Sequence, residues 1–171
     1  MVILRPTRKL RTLLPVNGPT ARRSDTALGD WYVSRLFVGP HPLLLLVSST
    51  SLLPILVPAR AVRSLPGRLA SMVAERHARC GIAPTTIAAE QAAMAEVVIG
   101  PTVDRSVLGI MVDCRKSVSY FLDSGGWDEA ALWAAEAQLA ETPCFAGRRA
   151  VETIFPETKA PELLRAKWGT G

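Results

Sequence analysis

The chain has 171 residues, 49% of them apolar and 20% charged. That is enough to bury a core without covalent staples, and it lies outside the composition of disordered segments. Cys80, Cys114 and Cys144 are odd in number, widely spaced and form no CxxC pair. This argues against a disulfide framework or a thiolate metal site and for a reducing cytoplasm. The net charge of +5 is uneven: residues 1–85 hold twelve Arg/Lys against three Asp/Glu, residues 86–171 eight against twelve. A basic N-terminal half can face nucleic acid or an acidic protein, or simply complement the acidic half within one fold. The N-terminal apolar run, Val2-Ile3-Leu4, is too short for a secretory signal.

In chain order, Val2-Ile3-Leu4 reads as a strand. Thr7 then caps a brief helix carrying Leu10, Leu13 and Leu14, and 15–25 is a loop. The tract from Leu36 to Val57 is apolar and about long enough to cross a bilayer. Pro40, His41, Pro42, the Ser48-Ser49-Thr50-Ser51 run and Pro54 break it, which suits strands and turns instead. Three strands are therefore expected, at Trp31–Val38, Leu43–Val47 and Leu52–Val57. The second is apolar throughout, as a strand covered on both faces would be. Pro54 cannot donate to a ladder and sends the third to an edge.

The period changes to that of helices after Pro66. Leu69, Met72, Val73 and Cys80 mark one stripe, stopped by Gly81, and Thr85 or Thr86 opens a second helix ending near Met94. Val97-Val98-Ile99 is a short extended piece. Asp104 caps a third helix with an apolar stripe at Val107, Met111, Cys114, Val118 and Phe121. Asp128, flanked by a Trp127–Leu132 staple, caps a fourth. Val151–Phe155 reads as a last strand and Thr158 with Pro161 opens a terminal helix. Strands lead and helices follow. The expected fold is one α+β domain over 1–171, with an antiparallel sheet of at least three strands from the N-terminal third packed by four to five helices.

The motifs that announce chemistry are missing. His41 and His77 have no partners at metal-ligand spacing, no phosphate-cradling glycine loop opens a helix, and neither Ser106 nor Cys144 has the context of a nucleophile. No metal and no cofactor are expected. Two clusters remain. Asp30, Trp31 and Tyr32 put a carboxylate and two amphipathic rings at a loop–strand junction, where they can hold a ligand or pack on opposite faces of the strand. Residues 100–106 feed a helix N-terminus, where Arg105 and Ser106 can meet an anion or the residues merely cap the helix. Glu90 and Asp113 are the acid/base partners available to such a site. Arg8, Lys9, Arg11, Arg22 and Arg23 are the candidates for nucleic-acid contact.

At these clusters the chain is similar to a known family. Gly29-Asp30-Trp31-Tyr32, then the apolar strand pair, then Asp104-Arg105-Ser106-Val107-Leu108-Gly109 through Asp113, and later Thr142-Pro143-Cys144 and Phe155-Pro156, resemble an uncharacterised bacterial domain of unknown function. That family has a GDWY-like start and an NRSVLGSMND-like helix. Here Asp104 replaces the Asn, Ile110 the small polar residue and Val112 the second Asn, so a polar site on that helix would be thinner. The resemblance implies a fold and its extent, with no activity attached. Two functions stay open: a non-enzymatic interaction or regulatory module, and a small enzyme acting on an anionic substrate bound at 100–106. The partners expected are a protein or an anionic ligand, with nucleic acid a further candidate and the membrane excluded.

Overall fold

The computed structural model describes residues 1–18, 22–60, 62–146 and 152–169. Its main sheet has five strands: β1 (Val2–Pro6), β2 (Trp31–Val38), β3 (His41–Ser48), β4 (Pro54–Pro58) and β5 (Val97–Ile99). The order across the sheet is β4-β3-β2-β1-β5. The helices are α1 (Leu65–Arg79), α2 (Pro84–Ala93), α3 (Arg105–Phe121), α4 (Glu129–Glu141) and α5 (Pro156–Trp168), with 3-10 turns at Arg8–Leu10 and Val62–Ser64. A two-stranded ribbon joins β6 (Cys144–Ala146) to β7 (Glu152–Ile154). Val151, expected in that last strand, and residues 19–21 of the expected 15–25 loop lie outside the described residues.

The architecture is α+β, but the sheet is mixed where a purely antiparallel one was expected. β2, β3 and β4 form the antiparallel meander, while β1 runs parallel to both β2 and β5. Parallel pairing needs a connection long enough to return the chain to the starting end of the sheet. Residues 7–30 provide one in which the described residues form only a single 3-10 turn, too little regular structure to mark a crossover in the sequence. The Leu36–Val57 tract resolves into strands, and no helix of the described residues is long and apolar enough to cross a membrane.

Both faces of the sheet are covered. Trp31, Val33, Leu44, Leu46 and Ile55 meet Leu10, Leu14, α1 and α5 on one side. Tyr32, Leu36, Leu43, Leu45, Val47 and Leu56 meet α3 and α4 on the other. Side chains alternate along each strand, so β3 must be apolar at every position from Leu43 to Val47, and all five are fully buried. The α3 stripe at Val107, Met111, Cys114 and Val118 is buried as expected, but Phe121 is 37% exposed. One helical turn beyond Val118 falls at Leu122, and that residue takes the buried place. Asp104 and Asp128 cap α3 and α4 through their carboxylates, accepting from Ser106 and Val107 N–H and from Ala131 N–H.

β4 is the sheet edge, as Pro54 demands, and an edge invites unwanted pairing unless covered. Glu136 of α4 covers it, accepting the Leu56 N–H at 2.8 Å. From α1, Arg76 Nε and Arg79 Nη1 approach the same carboxylate at 3.6 and 3.5 Å. Arg79 also lies over the Trp133 ring at 4.0 Å. Burial pushes the Glu136 carboxyl up to about 7, against the pull of Leu56 N–H and the two guanidinium groups. Burial, reinforced by Arg76, holds His77 down at about 4.

The two signs oppose. Glu136 binds a proton more tightly when folded, so its contribution is complete below about 4.5 and is lost as pH rises through 7. His77 binds one less tightly, so its contribution is complete above about 6.5 and is lost as pH falls toward 4. Between these limits the slopes nearly cancel. Glu136→Gln should therefore expose the histidine: relative to the parent, its unfolding free energy should rise by roughly 1 kcal/mol per pH unit from about 4.5 to 6.5. Urea titrations across that range check it, and parallel curves for the two proteins would refute the assignment.

Candidate functional site

The residues singled out by sequence fall into three places. Asp30 belongs to a buried lock. Its carboxylate accepts from Arg5 Nε at 2.5 Å and from Ser24 Oγ at 2.6 Å. Arg5 in turn donates to the Pro101 carbonyl. Gly29 precedes it with φ +72°, where a Cβ would run into Ser49 Oγ, so glycine is required at this turn. Tyr32 points to the opposite face from Trp31, and its hydroxyl accepts the N–H of Asp104 at 3.0 Å and of Val103 at 3.4 Å. Asp30 and Tyr32 thus tie the start of β2 to the 100–104 loop and set the first turn of α3.

Trp31 and Glu90 lie on the other side of the sheet. Trp31 is fully buried there. Glu90, 1% exposed, accepts from Ala27 N–H at 2.8 Å, Leu28 N–H at 3.3 Å and Trp168 Nε1 at 2.6 Å. It joins α2, the turn before β2, and α5. Asp113 sits elsewhere again, exposed on α3 beside Lys116 at 4.0 Å, at the rim of a cavity of about 100 Å³ lined by Cys114, Cys144 and Leu139. Burial pushes the Cys114 thiol up to about 12, so it is an inert thiol. Among the described residues no group of His, Cys, Asp and Glu is arranged to hold a metal.

At the N-terminus of α3 four backbone donors have acceptors: Val103 and Asp104 N–H give to Tyr32, Ser106 and Val107 N–H to Asp104. The open positive surface lies one turn further on. A groove of about 250 Å³ is lined by Thr7, Arg8 and Lys9, by Ser34 and Arg35 of β2, and by Leu108, Met111, Val112 and Arg115 of α3. Among the described residues, four cations and no carboxylate line it. None of the four has an ion-pair partner among the described residues, and Arg35 Nε is buried without an acceptor. Helical spacing puts Arg105 on the same face, one turn before Leu108, with Val112 and Arg115 continuing the row.

Of the five basic residues proposed for nucleic acid, only Arg8 and Lys9 reach this groove. Arg11 turns to Thr102 Oγ1 at 3.1 Å, Arg22 pairs with Glu96 at 3.2 Å, and Arg23 is exposed outside the groove. The sequence reading missed Arg35 and Arg115. Arg115 was within reach of a helical projection, since it shares a face with Arg105; Arg35 was not, because its neighbours depend on where β1 stops.

A family model described as a domain of unknown function (DUF6933) matches residues 3–159. The chain belongs to that family. No curated protein and no solved structure matches the chain. The DUF6933 match includes both halves of the lock, the Gly29–Tyr32 segment and the 100–113 segment. It also includes every residue lining the basic groove. In this DUF6933 domain, then, the two motifs that sequence reading treated as candidate sites are joined by hydrogen bonds to each other, and the groove opens beside that junction.

Proposed function

We propose that the chain is a non-enzymatic interaction module whose working surface is the basic groove between the Arg8–Leu10 turn, β2 and α3, and whose partner is anionic. The observation that carries this reading is the set of four unpaired cations, Arg8, Lys9, Arg35 and Arg115, converging on one concave surface with no carboxylate among its lining residues. Like charges held this close repel one another, and an anion that binds there is attracted by all four. Catalysis is left out because, among the described residues, no carboxylate or histidine lines the groove: Asp30 and Glu90 are held by other donors. A cytoplasmic setting is part of the proposal and rests on the three free thiols.

Elution from a heparin column tests it. Arg35→Glu/Arg115→Glu should elute at clearly lower salt than Arg63→Glu/Arg68→Glu, which changes the net charge equally at α1 and the turn before it. Equal losses for the two variants would mean that heparin reads overall charge, and the groove would lose its standing as the working surface.

A further inference from the structure

Resting on that reading, we infer that the groove is a site for a phosphate monoester carrying a compact organic group. The first support is position. β1 and β5 are neighbouring parallel strands. After β1 the chain turns to the face that carries Leu10 and Leu14, and after β5 it runs into α3 on the other face. Divergence of two connections at the carboxyl ends of adjacent parallel strands opens a crevice, and such crevices are where open sheets bind ligands. The last β1 pairing is Pro6 with Val33, so Ser34 and Arg35 lie just past the end of β1, along the part of β2 that β1 leaves uncovered.

The second support is chemistry. Arg35 lines the groove with a planar guanidinium, and its Nε has no acceptor among the described residues. The fork of a guanidinium matches two phosphate oxygens, and Arg8, Lys9 and Arg115 add charge around it. The hydroxyls of Thr7 and Ser34 line the same wall and can donate to a third oxygen. A phosphate monoester carries close to two negative charges at neutral pH, so four cations suit it better than a carboxylate.

Size and floor complete the assignment. Leu108, Met111 and Val112 supply an apolar base for the organic part. About 250 Å³ holds a phosphate with a ring-sized substituent. It is short of the extended, aromatic-lined channel that a nucleic-acid strand uses, and no aromatic side chain among the described residues lines it.

Isothermal titration at low salt with phenyl phosphate, inorganic phosphate and a twelve-residue oligothymidylate tests the inference. Phenyl phosphate should saturate one site and bind more tightly than inorganic phosphate. Arg35→Lys, which keeps the charge and removes the fork, should weaken it by about 10- to 100-fold. Arg115→Ala, an exposed change that leaves the melting temperature in place, should weaken it too. Failure of phenyl phosphate to bind, or binding indifferent to both substitutions, overturns the inference. If the oligonucleotide binds through Arg35 and Arg115 while phenyl phosphate does not, the monoester is wrong and the anionic-partner reading stands. If neither phenyl phosphate nor the oligonucleotide binds through Arg35 and Arg115 and heparin retention ignores the groove as well, both fall.

Discussion

Glu90→Leu should destabilise the protein by about 4 kcal/mol, a large part of the stability of an ordinary domain. The carboxylate is buried at 1% exposure and is the acceptor for three donors, Ala27 N–H, Leu28 N–H and Trp168 Nε1. Leucine fills similar space and accepts nothing. Each orphaned donor then carries a desolvation penalty of about 1–3 kcal/mol, so the penalties dominate whatever the added apolar surface returns. Glu90→Gln keeps a single carbonyl oxygen and should fall between the two. Because Trp168 ends α5, the loss should appear first as undocking of that helix. Protease cleavage within 156–168 should precede global unfolding. A Leu variant as stable as the parent in urea would show that these bonds contribute nothing.

Val118→Asp should be comparably severe. Val118 is fully buried among the residues that join α3 to the sheet, and none of the charged side chains that line the basic groove belongs to that cluster. An ionised carboxylate there is unpaired, and an unpaired buried charge costs about 3–5 kcal/mol. Val118→Ala, which only opens space, should cost less. Met111 is the poorer place for this substitution even though it lies on the same stripe, because it also lines the groove with Arg35 and Arg115, where an aspartate would find cations. Denaturation midpoints for the two Val118 variants check the order, and near-equal values would mean that the site admits water.

Much of this fold is legible from side-chain chemistry that acts locally. Asp104 and Asp128 announce helix starts because a short carboxylate satisfies free N–H groups only at that position. Pro54 announces an edge because it lacks the N–H. The unbroken apolar run of β3 announces cover on both faces. The parallel placement of β1 and β5 is not legible in this way, since it depends on a crossover whose described residues form one 3-10 turn and on a strand reached only after two helices. The same limit applies to the site. Asp30 and Glu90 look like chemistry in the sequence because carboxylates are ligands as readily as they are structural acceptors. Only their partners, Arg5 and Ser24 in one case and Ala27 N–H, Leu28 N–H and Trp168 Nε1 in the other, separate the two uses. Arg35 and Arg115 gain meaning solely from the crevice past the end of β1, which no local pattern encodes.

The basic groove is the surface proposed to bind the partner. The most direct measurement is an amide nitrogen–proton correlation spectrum of the whole chain, titrated with phenyl phosphate and then with a heparin hexasaccharide. The shifted signals should cluster at Thr7–Lys9, Ser34–Arg35 and Leu108–Arg115 with both probes. Shifts centred instead on Arg22 and Arg23, or on the cavity of about 590 Å³ beside His41, Arg60 and Trp127, would contradict it.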